Sequence, residues 1–196
     1  MNRCLIGAGG FAREIKWHLN MPKMKCFVDD KFYEPNDKEI YPMSEFDPTQ
    51  YHALIAIGDS KKRFEISNRL PSNTKYWSYV HRTVELLDPN IEIGEGSFIC
   101  ANCVLTTNIK IGKHAHLNLS STIGHDVEIG DFFTTAPGVK ISGNCKIGDR
   151  VYIGTNSCTR QKINICDDTI IGLMTGVVKD INEPGVYVGS PSKKIK

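Results

Sequence analysis

Residues 123–148 read IGHDVEIGDFFTTAPGVKISGNCKIG, with Ile123, Ile129, Thr135, Ile141 and Ile147 six positions apart. The register continues both ways. Leu87, Ile93, Ile99, Leu105, Ile111 and Leu117 precede it, and Ile153, Thr159, Ile165, Ile171 and Val177 follow. Fourteen of these sixteen slots hold Leu, Ile or Val, and the other two hold Thr. A helix repeats near ~3.6 residues and a strand near ~2, so a sustained period of six belongs to neither element alone. It describes a solenoid of short strands joined at corners, with each anchor filling a common interior. Gly follows many anchors, as in Ile93-Gly94, Ile123-Gly124 and Ile147-Gly148, and permits the turn. Four residues after an anchor comes a smaller inward position: Ser97, Cys103, Ala115, Ser121, Val127, Cys145, Ser157.

Three hexapeptides make one triangular coil, and the tract supplies about five coils, each contacting only its neighbours. Burying each Ile or Leu contributes roughly 1.5–3 kcal/mol, so such a core folds without disulfides.

The 196 residues carry a net charge of +2, too balanced to suggest nucleic acid or a membrane surface as partner. Met1 to Gly7 lacks the apolar stretch of a signal peptide, and no 18-residue apolar run occurs, so membrane insertion is not expected. The seven Cys are an odd number, without a CxxC pair or a Cys/His cluster at zinc spacing. Reduced thiols and a cytoplasmic location are the expectation.

The first eighty residues have another rhythm. Short apolar runs at Arg3–Ile6, Lys25–Val28 and Ala53–Ile57, and a fourth at Lys75–Val80, alternate with helical spacing at Arg13–Leu19 and Arg63–Leu70. Alternating strands and helices mean a small parallel sheet. Gly7, Gly9 and Ala12 satisfy G-x-G-x-x-G/A between a strand and a helix, with the acidic pair Asp29-Asp30 about twenty residues on. Backbone N–H groups at that helix start suit a phosphate, while a glycine turn packing helix on strand is the plainer alternative. Eighty residues hold only half of a dinucleotide fold. The expected architecture is an α/β half-Rossmann-like domain over residues 1–82, then an all-β left-handed parallel β-helix with a C-terminal cap over residues 83–196.

The opening Gly-Ala-Gly-Gly-Phe-Ala-Arg-Glu, the hexapeptide tract, Gly124-His125-Asp126 and the ending Tyr187-Val188-Gly189-Ser190-Pro191-Ser192-Lys193-Lys194-Ile195 together resemble a family. It is that of the trimeric hexapeptide-repeat sugar acetyltransferases, which act on nucleotide-linked 4-amino-4,6-dideoxy sugars. The sialic acid O-acetyltransferase group shares the layout. The handedness of the helix is an implication of this resemblance, as are acetyl-CoA as cosubstrate, a homotrimer and a nucleotide-linked amino sugar as acceptor.

Transfer of an acetyl group to an amine needs a base near neutral pH, and His is the side chain suited to it. Six are present: His18, His52, His81, His114, His116 and His125. His125 stands apart, because it follows the Ile123-Gly124 corner, projects outward and precedes Asp126. In the resembled enzymes a His and an acidic residue at this place are the general base and its enhancer, although many carry Glu where this chain has Asp126. The resemblance further implies that Ser142 and Gly143 amides border the thioester, and that Thr155 and Leu173 line the coenzyme A tunnel. Thr134 stands where some relatives have a second His touching the coenzyme. It places Asn118 beside the sugar, and Gly9, Gly10, Phe11, Asp29 and Asp30 around the nucleotide. An O-acetyltransferase is the alternative reading. A non-catalytic or metal-dependent prism protein, with His114, His116 and His125 as ligands, is a further one, and their spacing argues against it. No metal is expected.

Overall fold

The computed structural model describes residues 2–196, which divide into two compact units between Ser78 and Tyr79. The division falls four residues before the boundary expected at residue 82.

The first unit contains β1 (Asn2–Ile6), α1 (Gly10–His18), β2 (Cys26–Val28), β3 (Ile40–Pro42), β4 (Tyr51–Ile55), α2 (Ser60–Ser67) and β5 (Lys75–Tyr76). Its five strands are all parallel in the order β3-β2-β1-β4-β5, that of a doubly wound nucleotide fold without its sixth strand. Cys4, Ile6, Ala53 and Ile55 form the central core, and Phe27 packs edge-on against Phe46 and Tyr51. Ala12 and Ile15 bury one face of α1. Two details depart from the sequence reading. Ile40–Pro42 is an additional strand, confined to the sheet edge, where a residue without an N–H is tolerated. The stretch read as one strand over Lys75–Val80 is split: Lys75–Tyr76 pairs with β4, whereas Tyr79–Val80 pairs with Phe98–Ile99 of the second unit's own sheet.

The second unit is a three-sided parallel β-helix whose faces are sheets of eight, six and five strands. Successive rungs pair eighteen residues apart, as in Leu105 with Ile123 and Ile111 with Ile129. The small inward positions named above are all fully buried. The first coil corrects the register. Leu105 pairs with Leu86 rather than Leu87, and Leu87 is 64% exposed. One extra residue sits between Leu86 and Ile93, so the coil spans nineteen. At the far end, Gly185–Val188 pairs with Thr169–Ile171 and then antiparallel with Lys193–Lys194, forming the cap.

The corners have a physical signature of their own. The third residue after each anchor is left-handed, from Asn102, Asn108 and His114 through Asp126 to Asp168 and Met174. Asn and Asp tolerate that region better than other side chains. The glycine directly after the anchor serves another purpose, namely close stacking. A Cβ on Gly124 would stand 2.6 Å from the Gly143 nitrogen of the next coil.

Candidate active site and nucleotide pocket

His125 and Asp126 occupy the corner that follows Ile123, and their side chains are 53% and 44% exposed. The left-handed backbone at Asp126 (φ 58°) turns its short arm back toward the ring, placing Oδ2 2.7 Å from His125 Nδ1. The side chain of Asp, one carbon shorter than Glu, thus reaches the imidazole. Asn108 Nδ2, donating to the other carboxylate oxygen, and then His125 hold the Asp126 carboxyl below the usual carboxylate range. An ionised carboxylate only accepts, so in the neutral ring the shared proton belongs on Nδ1 and the Nε2 lone pair is left as acceptor. The ring lies against Gly143, one coil on. A Cβ there would be 2.6 Å from Nε2.

The Gly143 amide donates to no described residue, whereas the Ser142 amide is committed, donating to Thr159 Oγ1 at 3.1 Å. Of the two amides assigned to the thioester, only that of Gly143 lacks a hydrogen-bond acceptor among the described residues, and Gly143 itself is buried. Ser142 Oγ donates to the Thr159 carbonyl at 2.7 Å. Asn118 repeats the arrangement: its amide donates to Thr135 Oγ1 at 2.9 Å and its Nδ2 to the Thr135 carbonyl at 2.8 Å. Each Thr anchor thus intercepts the rung amide with its hydroxyl, and a polar residue one coil earlier takes up the displaced carbonyl. Asn118 and Ser142 consequently have a structural role of their own.

Within one chain the proposed residues fall into two groups. His125, Asp126, Ser142 and Gly143 share one corner. Asn118, Thr155 and Leu173 stack along the preceding corner, with Thr155 exposed and Leu173 71% exposed. The chain alone does not bring the groups together. Thr134 is buried on a rung between His116 and Tyr152. His114 stacks on Phe132 at a third corner, so His114, His116 and His125 do not converge. No cluster of metal-ligating side chains occurs among the described residues.

In the first unit a cavity of about 860 Å³ opens beyond the carboxyl ends of β1, β2 and β4. Crevices at such a switch point in strand order bind ligands in open α/β sheets. Gly7, Ala8 and Gly9 form its floor, and Gly9 has nothing within 4 Å of a would-be Cβ, leaving room for close backbone approach. Asp29 lines it and accepts from Arg69 at 2.7 Å, which holds its carboxyl below the usual range. Gly10, Phe11 and Asp30 do not line it. Gly10 begins α1, and the Asp30 carboxylate accepts from the Ser44 amide at 3.0 Å. Sequence reasoning missed Arg69, which lies forty residues from its partner and carries no motif. It also missed Asn108, although its place eighteen residues before Asp126 was a usable signal.

A family model for the PglD N-terminal domain matches residues 3–70. GDP-perosamine N-acetyltransferase of Escherichia coli O157:H7 is 29% identical over 172 residues, covering 81% of this chain and 78% of that protein. The structure of WeeI from Acinetobacter baumannii AYE is 30% identical and covers 100% of both chains with a TM-score of 0.86. PerB from Caulobacter crescentus, in complex with CoA and GDP-perosamine, shares the fold at 20% identity and a TM-score of 0.86, over 100% of this chain and 98% of that one. The chain belongs to the hexapeptide-repeat sugar acetyltransferases, acetyl-CoA-dependent enzymes built on a left-handed parallel β-helix.

Proposed function

We propose that this protein transfers the acetyl group of acetyl-CoA to the amino group of a nucleotide-linked 4-amino-4,6-dideoxy sugar, a step in bacterial surface glycan synthesis. The observation that carries the reading is the oriented His125–Asp126 pair, with Nε2 turned to Gly143. The relative acting on GDP-perosamine supports the substrate class. The first unit holds the nucleotide in the cavity floored by Gly7 to Gly9. The second carries out the transfer.

In the reaction the amine nitrogen attacks the thioester carbonyl carbon, and His125 Nε2 accepts the proton the nitrogen sheds. The Gly143 amide faces the oxygen on which negative charge develops. The C–S bond then breaks, and the thiolate leaves with the proton returned by His125. Asp126 stabilises the imidazolium while the proton resides there. No acyl-enzyme forms.

The two separated corners support a homotrimer. Prisms packed side by side set the Asn118, Thr155 and Leu173 corner of one copy against the His125 corner of the next, and the groove between them takes the coenzyme arm. No helix among the described residues is long and apolar enough to cross a membrane. With all seven cysteines unpaired, the cytoplasm is the compartment we assign. Steady-state kinetics with a panel of nucleotide-linked amino sugars test the reading. His125→Ala should lower kcat by about 10²–10⁴ with KM little changed. Near-wild-type turnover would remove His125 as the base.

A further inference from the structure

The carboxylate beside His125 has two oxygens, and each has its own partner. Oδ2 meets His125 Nδ1 at 2.7 Å, and Oδ1 accepts from Asn108 Nδ2 at 2.6 Å. Asn108 stands one coil earlier at the same left-handed corner position, with φ 51° against 58° at Asp126. Its backbone amide donates to Asp88 Oδ2 at 3.0 Å, and the same oxygen accepts from Thr107 Oγ1 at 2.7 Å. The Thr107 carbonyl accepts from the Asp126 amide at 3.0 Å. Asp88 lies in the one-residue insertion of the first coil and is itself held by the Asn90 amide at 2.8 Å. Fixed contacts therefore run from Asp88 through Asn108 and Asp126 to His125 along one corner.

A carboxylate gripped at one oxygen turns easily, because its terminal torsion is broad. A donor on the second oxygen stops that rotation and keeps the first aimed at the ring. Asn108 is unusual among the asparagines at these corners. Among the described residues, the side chains of Asn102, Asn144 and Asn156, also left-handed, make no such bond. Local turn chemistry explains an Asn at each of the four sites, but not the 2.6 Å contact at this one.

We propose that Asn108 is a positioning residue for the acetyl transfer: gripping Asp126 at its second oxygen, it locks His125 in the orientation that leaves Nε2 as acceptor. This rests on His125 being the general base. Asn108 touches no reacting atom and works through Asp126. Asp88, by fixing the Asn108 backbone, anchors the arrangement.

The test uses two variants. Asn108→Gly keeps the left-handed corner and removes the amide, while Asn108→Asp keeps the shape and lacks the donor. In the full-length protein labelled with ¹⁵N-histidine, NMR should show His125 as the Nδ1–H tautomer, and a mixture of tautomers in Asn108→Gly. Both variants should lose roughly tenfold in kcat with KM for each substrate unchanged. In an Asp126→Gly background, Asn108→Gly should add no further loss. Asp168→Gly, at the left-handed position of the third corner, should leave tautomer and turnover as in the wild type. The tautomer measurement needs no substrate, so an error in the assigned reaction would show in the assay alone. A wild-type tautomer in both Asn108 variants, or losses that multiply with Asp126→Gly, would overturn the proposal.

Discussion

One face of the His125 ring lies against Gly143, where any side chain would collide with it. An added methyl carbon would stand 2.6 Å from Nε2 and 2.7 Å from Cε1. Gly143 is not left-handed, and the three atoms nearest an added methyl all belong to the ring. Gly143→Ala is therefore expected to lower kcat by roughly a hundredfold through displacement of the base. The half-exposed ring can swing toward solvent, so melting should change little. Unchanged turnover in that variant would mean that the ring does not work from this position. The dyad itself was legible from adjacent residues at a corner. The double commitment of Asn118 and Ser142 to Thr135 and Thr159 was not, because it depends on which rung lies above which. Two polar residues assigned to ligands on resemblance turn out to satisfy buried hydroxyls and carbonyls, as buried polar groups require.

Elements of two or three residues have almost no intrinsic preference, and here the stacking of coils builds them. The period of six located nearly every rung because each anchor must face the interior. It failed where the period slips, at Leu86 and Leu87, since both residues are apolar and only pairing with Leu105 separates them. The slip has a use: it presents Asp88 to the corner that carries Asn108 and Asp126. Amides of Asn90 and Asn108, together with the Thr107 hydroxyl, hold the Asp88 carboxyl down at about 2, against 3.8 ordinarily. Because the folded value is depressed, the stabilisation from Asp88 is complete above about pH 4 and is lost as pH falls toward 2. Thermal melts of wild type and Asp88→Asn should thus differ by a constant amount above pH 4. The difference should shrink below it and vanish as the pH passes below 2. A difference independent of pH across that range would contradict this account. In the first unit, Ile40–Pro42 escaped notice because three residues containing a proline carry no strand signal. Pairing with β2 alone makes them one.

For the whole molecule the question is what completes the site. The five-stranded face pairs its own charges, Lys110 with Glu92 at 3.4 Å and Lys146 with Glu128 at 3.6 Å, and suits exposure to water. The six-stranded face lies between the Asn118 corner and the His125 corner. Leu173 and Met174 stand 71% and 64% exposed beside the first of these, as side chains awaiting a cover. The proposed cyclic trimer would cover them and close three equivalent grooves. Sedimentation equilibrium should accordingly give a mass three times that of the 21.9 kDa chain. A monomer at assay concentration would leave the two halves of each site apart and contradict the proposed arrangement.

Periodicity sufficed for the solenoid, and a glycine fingerprint for the nucleotide-type turn, because both are local rules that one chain can display in order along its length. The hydrogen-bonded pair of His125 and Asp126 was legible for the same reason: the two are neighbours in sequence. Arg69 on Asp29, Asn108 on Asp126 and the ring against Gly143 were settled by tertiary structure alone. Each joins residues between eighteen and forty positions apart, and their meeting depends on how many residues one turn of the coil or one strand crossover consumes. A single inserted residue alters that number while leaving composition and motif untouched.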